Sequence, residues 1–354
     1  MPVDPRYRPP PPTMPAPPDR FGRPLRNLRL SVTDRCNLRC QYCMPEEEYV
    51  WLPKSDVLTF EEILRLVDVF TALGVDEVRV TGGEPLLRQE LPTLVRALAA
   101  RPALNDLAIT TNGVLLREHA QALREAGMKR VTVSLDTLDR ETFRLLSRRD
   151  DLPRVLDGIA AAREAGFRGT KLDTVVVAGV NDGELPALVD FARGVGAEIR
   201  FIEYMDVGGA TRWRLDRVVA RAQMLERLQR AFGPIRAVPR ADSAPAERFE
   251  LGDGTTFGII ASVTQPFCAT CDRARLTADG AWFTCLYAAT GADLRRLLRG
   301  GADDATIRTA IAATWQARSD RGAEARAGLA DRAPLAAAAV LRQQPHLEMH
   351  TRGG

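Results

Sequence analysis

Residues 27–45 read NLRLSVTDRCNLRCQYCMP. Leu28 to Thr33 is predicted to be a β-strand, and three cysteines follow it within eight residues, as Cys36-x-x-x-Cys40-x-x-Cys43. Thiolates are soft donors that suit iron–sulfur clusters or zinc, and three of them leave one iron of a [4Fe-4S] cube free for a non-protein ligand. A Cys3His zinc site is the competing reading. None of the three histidines, His119, His346 and His350, lies near this loop in sequence, so the spacing favours iron–sulfur.

Outward from that strand, short β-branched runs alternate with longer amphipathic stretches as far as about Leu228, the pattern of repeated βα units. Six strands are predicted: Leu28 to Thr33, Glu77 to Thr81, Leu107 to Thr111, Arg130 to Leu135, Lys171 to Val177 and Glu198 to Glu203. Helices are predicted over Phe60 to Leu73, Leu91 to Ala100 and Leu152 to Ala165, among others. Polar or glycine-rich segments follow several strands: Thr33-Asp34, Thr81-Gly82-Gly83-Glu84, Thr111-Asn112-Gly113, and Ser134 beside Asp136. In parallel sheets such loops converge on one face, so distant segments can surround one substrate. Six βα units suit either a barrel or a doubly wound sheet. The AREAG-like segments ending at Gly127 and Gly166 are read as helix ends closed by glycine, not as a functional repeat.

Beyond Phe232 the pattern turns to short strands and turns up to about Tyr287, then to Ala-, Leu- and Arg-rich helix, which suggests a separate C-terminal module. Here Cys268-x-x-Cys271 and Cys285 form a second set of three, and the two sets account for all six cysteines of the 354-residue chain. Arg79, Lys171 and Arg200 stand on predicted strands among apolar neighbours, where a charge is costly unless it is paired or faces a polar cavity. Arg273 and Arg275 alternate, so an extended segment would point both to one face.

The composition, 45% hydrophobic and 27% charged, is that of a globular protein. A net charge of +3, with no basic stripe or helix-turn-helix, argues against a nucleic-acid binder. No apolar run is long enough for a membrane span, and the expected location is the cytoplasm. Ten of the 23 prolines fall in the first 24 residues, including Pro9 to Pro12, so residues 1–20 read as a disordered leader.

The segment Asn27 to Pro45 resembles the S-adenosylmethionine (SAM) cluster motif of the GTP 3′,8-cyclases, radical SAM enzymes of molybdenum-cofactor biosynthesis. The resemblance continues through RVTGGEPLL (79–87), ITTNG (109–113), VSLD (133–136), RFIEYMDVG (200–208), CATCDRARL (268–276), Cys285 and the terminal Gly353-Gly354. It implies a partial (β/α)6 TIM-like barrel over residues 21–232 and an auxiliary-cluster module over 233–354. It further implies two [4Fe-4S] clusters, the first on Cys36, Cys40 and Cys43 and the second on Cys268, Cys271 and Cys285. The first would cleave SAM to a 5′-deoxyadenosyl radical, which removes the ribose C3′ hydrogen of GTP before C3′ bonds to C8. The free iron of the second would contact guanine. By position, SAM would be held by Tyr42, Gly83, Ser134 and Met205. GTP would be held by Arg29, Arg79, Thr110, Lys171, Arg200, Arg273 and Arg275, with the Gly353-Gly354 tail reaching into the site. The family also implies a reductant such as flavodoxin or ferredoxin, a downstream cyclic pyranopterin monophosphate synthase, and a homodimer. A peptide-modifying maturase with an auxiliary cluster and a non-enzymatic zinc or iron–sulfur regulator are the rivals. The segment Met349 to Arg352, MHTR, departs from the family's pattern just before the two glycines.

Overall fold

The computed structural model describes residues 17–239 and 243–353. The expected proline-rich leader, apart from its last four residues, and Gly354 lie outside the described residues. The first half of the chain is a regular succession: β1 (Asn27–Ser31), α1 (Phe60–Ala72), β2 (Glu77–Thr81), α2 (Leu91–Ala99), β3 (Asp106–Thr111), α3 (Leu116–Glu125) and β4 (Arg130–Ser134). Two helices, α4 (Arg140–Ser147) and α5 (Leu152–Glu164), precede β5 (Lys171–Val176), and α6 (Leu185–Val195) precedes β6 (Glu198–Glu203) and α7 (Arg221–Phe232). All six predicted strands are present to within a residue or two at their ends. Local signals set the helix limits. The Thr59 hydroxyl accepts from the Glu62 amide while the Glu62 carboxylate accepts from the Thr59 amide, a capping box that starts α1. Gly127 and Gly166 follow α3 and α5 with φ of +100° and +82°, the left-handed closures expected of them.

The six strands pair in parallel in sequential order, β1 to β6. That order excludes a doubly wound sheet, whose strand sequence reverses at a switch point, and right-handed crossovers then put the helices on one face. The sheet curls so that inward residues of β1 and of β5 and β6 border one cavity. On β1, Leu28 and Leu30 point outward and are fully buried, whereas Asn27 and Arg29 point into the cavity; on β2, Val78 and Val80 point out, Glu77 and Arg79 in. The core therefore lies between the sheet and its helices, and the lumen is polar. This is why strands covered on both faces still alternate in sequence instead of running uniformly apolar.

The remaining strands are β7 (Arg236–Ala237), β8 (Glu247–Glu250), β9 (Thr256–Ile260), β10 (Arg273–Leu276), β11 (Ala281–Phe283) and β12 (Ala292–Asp293). Strand β9 adds in parallel beside β6 and β10 beside β1, so the C-terminal segment extends the same sheet at both ends and forms no sheet of its own. Helices α8 (Leu294–Arg299) and α9 (Asp304–Gln316) follow, and α9 packs on α1. Trp315 of α9 is buried, and its indole donates to the Arg23 carbonyl at 3.1 Å. Short helices α10 (Gly322–Ala327), α11 (Ala338–Gln343) and α12 (Met349–Arg352) carry the chain back to the cavity. Among the described residues, no helix is long and apolar enough to cross a membrane.

Candidate active site

The first cysteine loop leaves the C-terminal end of β1 and is clamped from two sides. Arg39 and Gln41 donate backbone bonds to the carbonyls of Ser147 and Leu146, at 2.9 and 2.8 Å. From β2, Gly83 donates to the Thr33 carbonyl at 2.9 Å and Glu84 to the Arg35 carbonyl at 2.7 Å. The two loops approach so closely that a Cβ on Gly83 would stand 2.3 Å from the Arg35 oxygen. Burial pushes the Cys36 thiol up to about 11, with the Glu84 charge adding to it, and raises Cys40 and Cys43 as well. Three partly buried thiols with little local cationic support suit a group that brings its own positive charge, as the irons of a cluster do. Among the described residues, no three His, Cys, Asp or Glu side chains converge as a single-ion site would require.

Around this loop stand the four expected SAM-binding positions, Tyr42, Gly83, Ser134 and Met205, all lining one cavity of about 830 Å³. The Tyr42 hydroxyl donates to Asp136 at 2.7 Å, and the Val175 amide donates to the same carboxylate at 2.9 Å. Burial lifts Asp136 to about 6 against these bonds. Glu84, fully buried and raised by burial to about 7, accepts from the Asn112 amide, the Thr111 hydroxyl and the Leu86 amide, and so ties the β2 and β3 loops together. Sequence reasoning placed Glu84 and Asp136 in these loops but gave neither a role. The signal available was a carboxylate directly after a parallel strand.

Cys268, Cys271 and Cys285 border the same cavity. Burial alone would raise Cys271, but Arg273 and Arg318 outweigh it and bring the thiol down to about 7; Arg318 also donates to the Cys271 carbonyl at 2.8 Å. Cys285 is raised by burial. The second set thus has cations beside it where the first has few.

Between the two sets lie the expected substrate cations. Register places Arg275, Arg29 and Arg79 side by side across β10, β1 and β2. Arg79 donates to the hydroxyls of Thr110 and Thr132 at 3.2 and 3.0 Å, and burial lowers it to about 10. Burial, aided by Arg200 and Arg130, brings Lys171 down to about 8. The structure adds partners that the sequence did not show. Arg200 is held by Glu198 at 2.9 Å, Arg273 lies over the Phe267 ring at 4.8 Å, and Arg275 donates to the carbonyls of Arg352 (3.2 Å) and Gly353. Arg130 and Asp173 also face the cavity and were missed, although both continue the inward period of their strands.

The tail enters between β1 and β2. Gly353 has φ of +67°, and a Cβ there would fall 1.9 Å from the Thr81 hydroxyl, so only glycine fits. MHTR forms the single turn α12, buried from His350 to Arg352. His350 packs against Tyr49 and Trp51, at ring separations of 5.3 and 5.8 Å, on the first cysteine loop's side. Arg352 donates to the Leu286 carbonyl at 2.7 Å, next to Cys285, and lies 4.0 Å over Phe283. The tail thereby bridges the two cysteine loops. A further link, absent from the sequence reading, is Asp206: fully buried, it accepts from Tyr287 at 2.9 Å and from Arg332 at 2.7 Å and pairs with Arg326.

A curled parallel sheet with a three-cysteine loop after its first strand defines a radical SAM protein, and the family model described as Radical SAM superfamily matches residues 30–192. Membership carries SAM and an iron–sulfur cluster as cofactors. Two solved structures of Streptococcus suis SuiB share the fold, at TM-scores of 0.58 with SAM bound and 0.59 with the precursor peptide SuiA. They are 17% and 16% identical, covering 82% and 87% of this chain and 68% and 67% of theirs. The model described as Molybdenum Cofactor Synthesis C matches residues 197–324. The chain is 54% identical to GTP 3′,8-cyclase 3 of Mycobacterium bovis, over 95% of its own length and 90% of the relative's. With GTP 3′,8-cyclase 1 of Mycobacterium tuberculosis it shares 55%, over 95% of each. The chain belongs to the GTP 3′,8-cyclase family.

Proposed function

We infer that this protein converts GTP to (8S)-3′,8-cyclo-7,8-dihydroguanosine 5′-triphosphate, in the first step of molybdenum-cofactor biosynthesis. The observation that carries this reading is one cavity with a three-cysteine loop at either side and a row of inward-facing cations between them. Cys36, Cys40 and Cys43 would hold one [4Fe-4S] cluster, and Cys268, Cys271 and Cys285 a second. When bound, the first cluster and SAM supply the radical that takes the C3′ hydrogen. The protein's part is placement. Tyr42, Gly83, Ser134 and Met205 orient SAM; Arg29, Arg79, Thr110, Lys171, Arg200 and Arg273 hold GTP, the cations serving its phosphate oxygens. Arg275 and the tail at Gly353 close the cavity between β1 and β2, which keeps out water and competing hydrogen donors. In this division, residues 21–232 carry the SAM chemistry, and 233–354 contribute guanine recognition and the tail. A low-potential flavodoxin or ferredoxin would supply electrons, a cyclic pyranopterin monophosphate synthase would consume the product, and the chain would act as a homodimer in the reducing cytoplasm.

The fold shared with SuiB does not favour a peptide-modifying maturase, because it comes at 16–17% identity, whereas the relatives at 54–55% are cyclases along nearly their whole length. The test is anaerobic reconstitution with iron and sulfide, then dithionite, SAM and GTP, following 5′-deoxyadenosine and nucleotide by mass spectrometry. GTP-dependent formation of the cyclised triphosphate is expected. SAM cleavage with GTP untouched would overturn the substrate, and zinc binding alone would overturn the class.

A further inference from the structure

The two cysteine sets are supported differently at their sulfurs. In the first, the Asn112 side-chain amide, a neutral donor, approaches the Cys36 sulfur at 3.8 Å. In the second, the donor is a guanidinium. Arg318, two residues past α9, directs Nη2 at the Cys271 sulfur at 3.6 Å, while its Nη1 donates to the Cys271 carbonyl at 2.8 Å. Its side chain is buried and lies 4.4 Å over the Trp315 ring.

Arg318 is held in a buried group of three. Asp19 stands 3.5 Å from Arg318 and takes Arg23 at 2.6 Å, and Arg23 donates to the Cys268 carbonyl at 2.8 Å. The turn Cys268–Thr270, closed by the Cys271 amide on the Cys268 carbonyl at 3.2 Å, is thus gripped at both ends by two arginines that share one carboxylate. None of Asp19, Arg23 and Arg318 lines the cavity, so they meet the cysteine loop from behind and leave its front to a ligand. Asp19 is already matched by Arg23, and the partly exposed Asp320 carboxylate reaches Arg318 only at 3.8 Å, without a hydrogen bond to its Nε. A buried cation needs a partner, and the anion within reach of Nη2 is a thiolate at Cys271. Donors behind a metal ligand orient it and tune the metal, and a cation on a cluster sulfur stabilises the more negative, reduced state.

We propose that Arg318, oriented by Asp19 and Trp315, is a positioning residue of the second cysteine set, and that its hydrogen bond to the Cys271 sulfur raises the reduction potential of the cluster held there. The proposal rests on the two-cluster reading above. The first cluster has no such cationic donor among the described residues, so the effect belongs to the second alone.

The test is an anaerobic redox titration of the full-length reconstituted enzyme, followed by electron paramagnetic resonance, as wild type, Arg318→Lys, Arg318→Gln and Arg318→Met. A companion chain with Cys36→Ala, Cys40→Ala and Cys43→Ala identifies the signal of the second cluster. At a fixed ambient potential, Arg318→Met should lower the reduced-to-oxidised ratio of that cluster about tenfold, a midpoint about 59 mV lower for one electron, and leave the first cluster's midpoint in place. Arg318→Gln, a neutral donor, should fall between wild type and Arg318→Met, and Arg318→Lys, which keeps the charge, should lie nearer to wild type than Arg318→Gln does. Asp19 retains Arg23, so loss of Arg318 strands no carboxylate. If Arg318→Met takes up no iron, Arg318→Lys and Arg318→Gln decide, and equal midpoints in those two overturn the proposal. It is overturned equally by midpoints that match wild type in every variant, which would leave Arg318 a prop for the loop's backbone, and by a common shift of both clusters. A companion chain that binds no iron fells the two-cluster reading and the proposal with it, whereas a second cluster with unmoved midpoints fells the proposal alone.

Discussion

Replacing Gly83 by alanine puts a methyl group 2.3 Å from the Arg35 carbonyl oxygen, 2.6 Å from its carbon and 2.8 Å from the Asp34 oxygen. Ordinary carbon contacts are roughly 3.5–4 Å, so one chain must retreat by about 1 Å. Neither can do so freely, since Gly83 and Glu84 both donate to the first cysteine loop. Overpacking of this kind costs about 1–3 kcal/mol, and losing one of the two bonds adds about 1 kcal/mol. A strain of roughly 2–4 kcal/mol on the loop that carries Cys36 corresponds to roughly 30- to 700-fold weaker seating. With two clusters bound as proposed, we expect Gly83→Ala to lose iron from the first set under chelator challenge while the second keeps its own, so about half the iron is released early. SAM affinity should fall in parallel. Gly194→Ala, a helical position where a methyl meets nothing within 4 Å, is the control and should match or exceed wild-type stability. Iron retention and SAM affinity in Gly83→Ala equal to those of Gly194→Ala would refute the steric reasoning.

Three further outcomes are expected. Burial holds Lys171 near 8, below its ordinary 10.5, so between those values the unfolded chain binds the proton that the folded chain has released, and stability attributable to this group rises with pH. A phosphate partner needs the charged amine, so GTP affinity should weaken as pH rises through about 8; dialysis that shows Lys171→Met with the same pH profile as wild type would sink this. Asp206→Ala leaves Arg326 and Arg332 without their shared carboxylate and should destabilise by about 3–5 kcal/mol, read as a lower denaturation midpoint at an unchanged m-value; a change below about 1 kcal/mol would refute its bridging role. His350→Ala removes the ring contacts to Tyr49 and Trp51 and should speed hydrogen exchange over residues 345–353 about tenfold or more, while unchanged protection would show that Arg275 and Arg352 hold the tail unaided.

Much of the barrel could be read one residue at a time. Period-two alternation over Lys171 to Val176 and Glu198 to Glu203 fixed both the strands and their charged inward faces, because side-chain direction in a strand is a local property. The spacing likewise singled out the first set of cysteines, since three thiols within eight residues have little freedom to separate, whereas Cys285 stands 14 residues beyond Cys271 and only the fold brings it to the same cavity.

What the amino-acid sequence determined by itself was therefore the elements, the faces they present and the chemical character of the donors. The tertiary structure decided which of those faces meet. Strand order ruled out the doubly wound sheet, and parallel pairing of β9 with β6 and β10 with β1 made the C-terminal segment part of the same wall. It gave Arg275 to the tail carbonyls, Arg200 to Glu198 and three partners to Asp206. The physical reason is that propensity and periodicity act over a few bonds of backbone, whereas register and pairing join residues more than two hundred positions apart. No spacing rule carries that information until the sheet has closed around it.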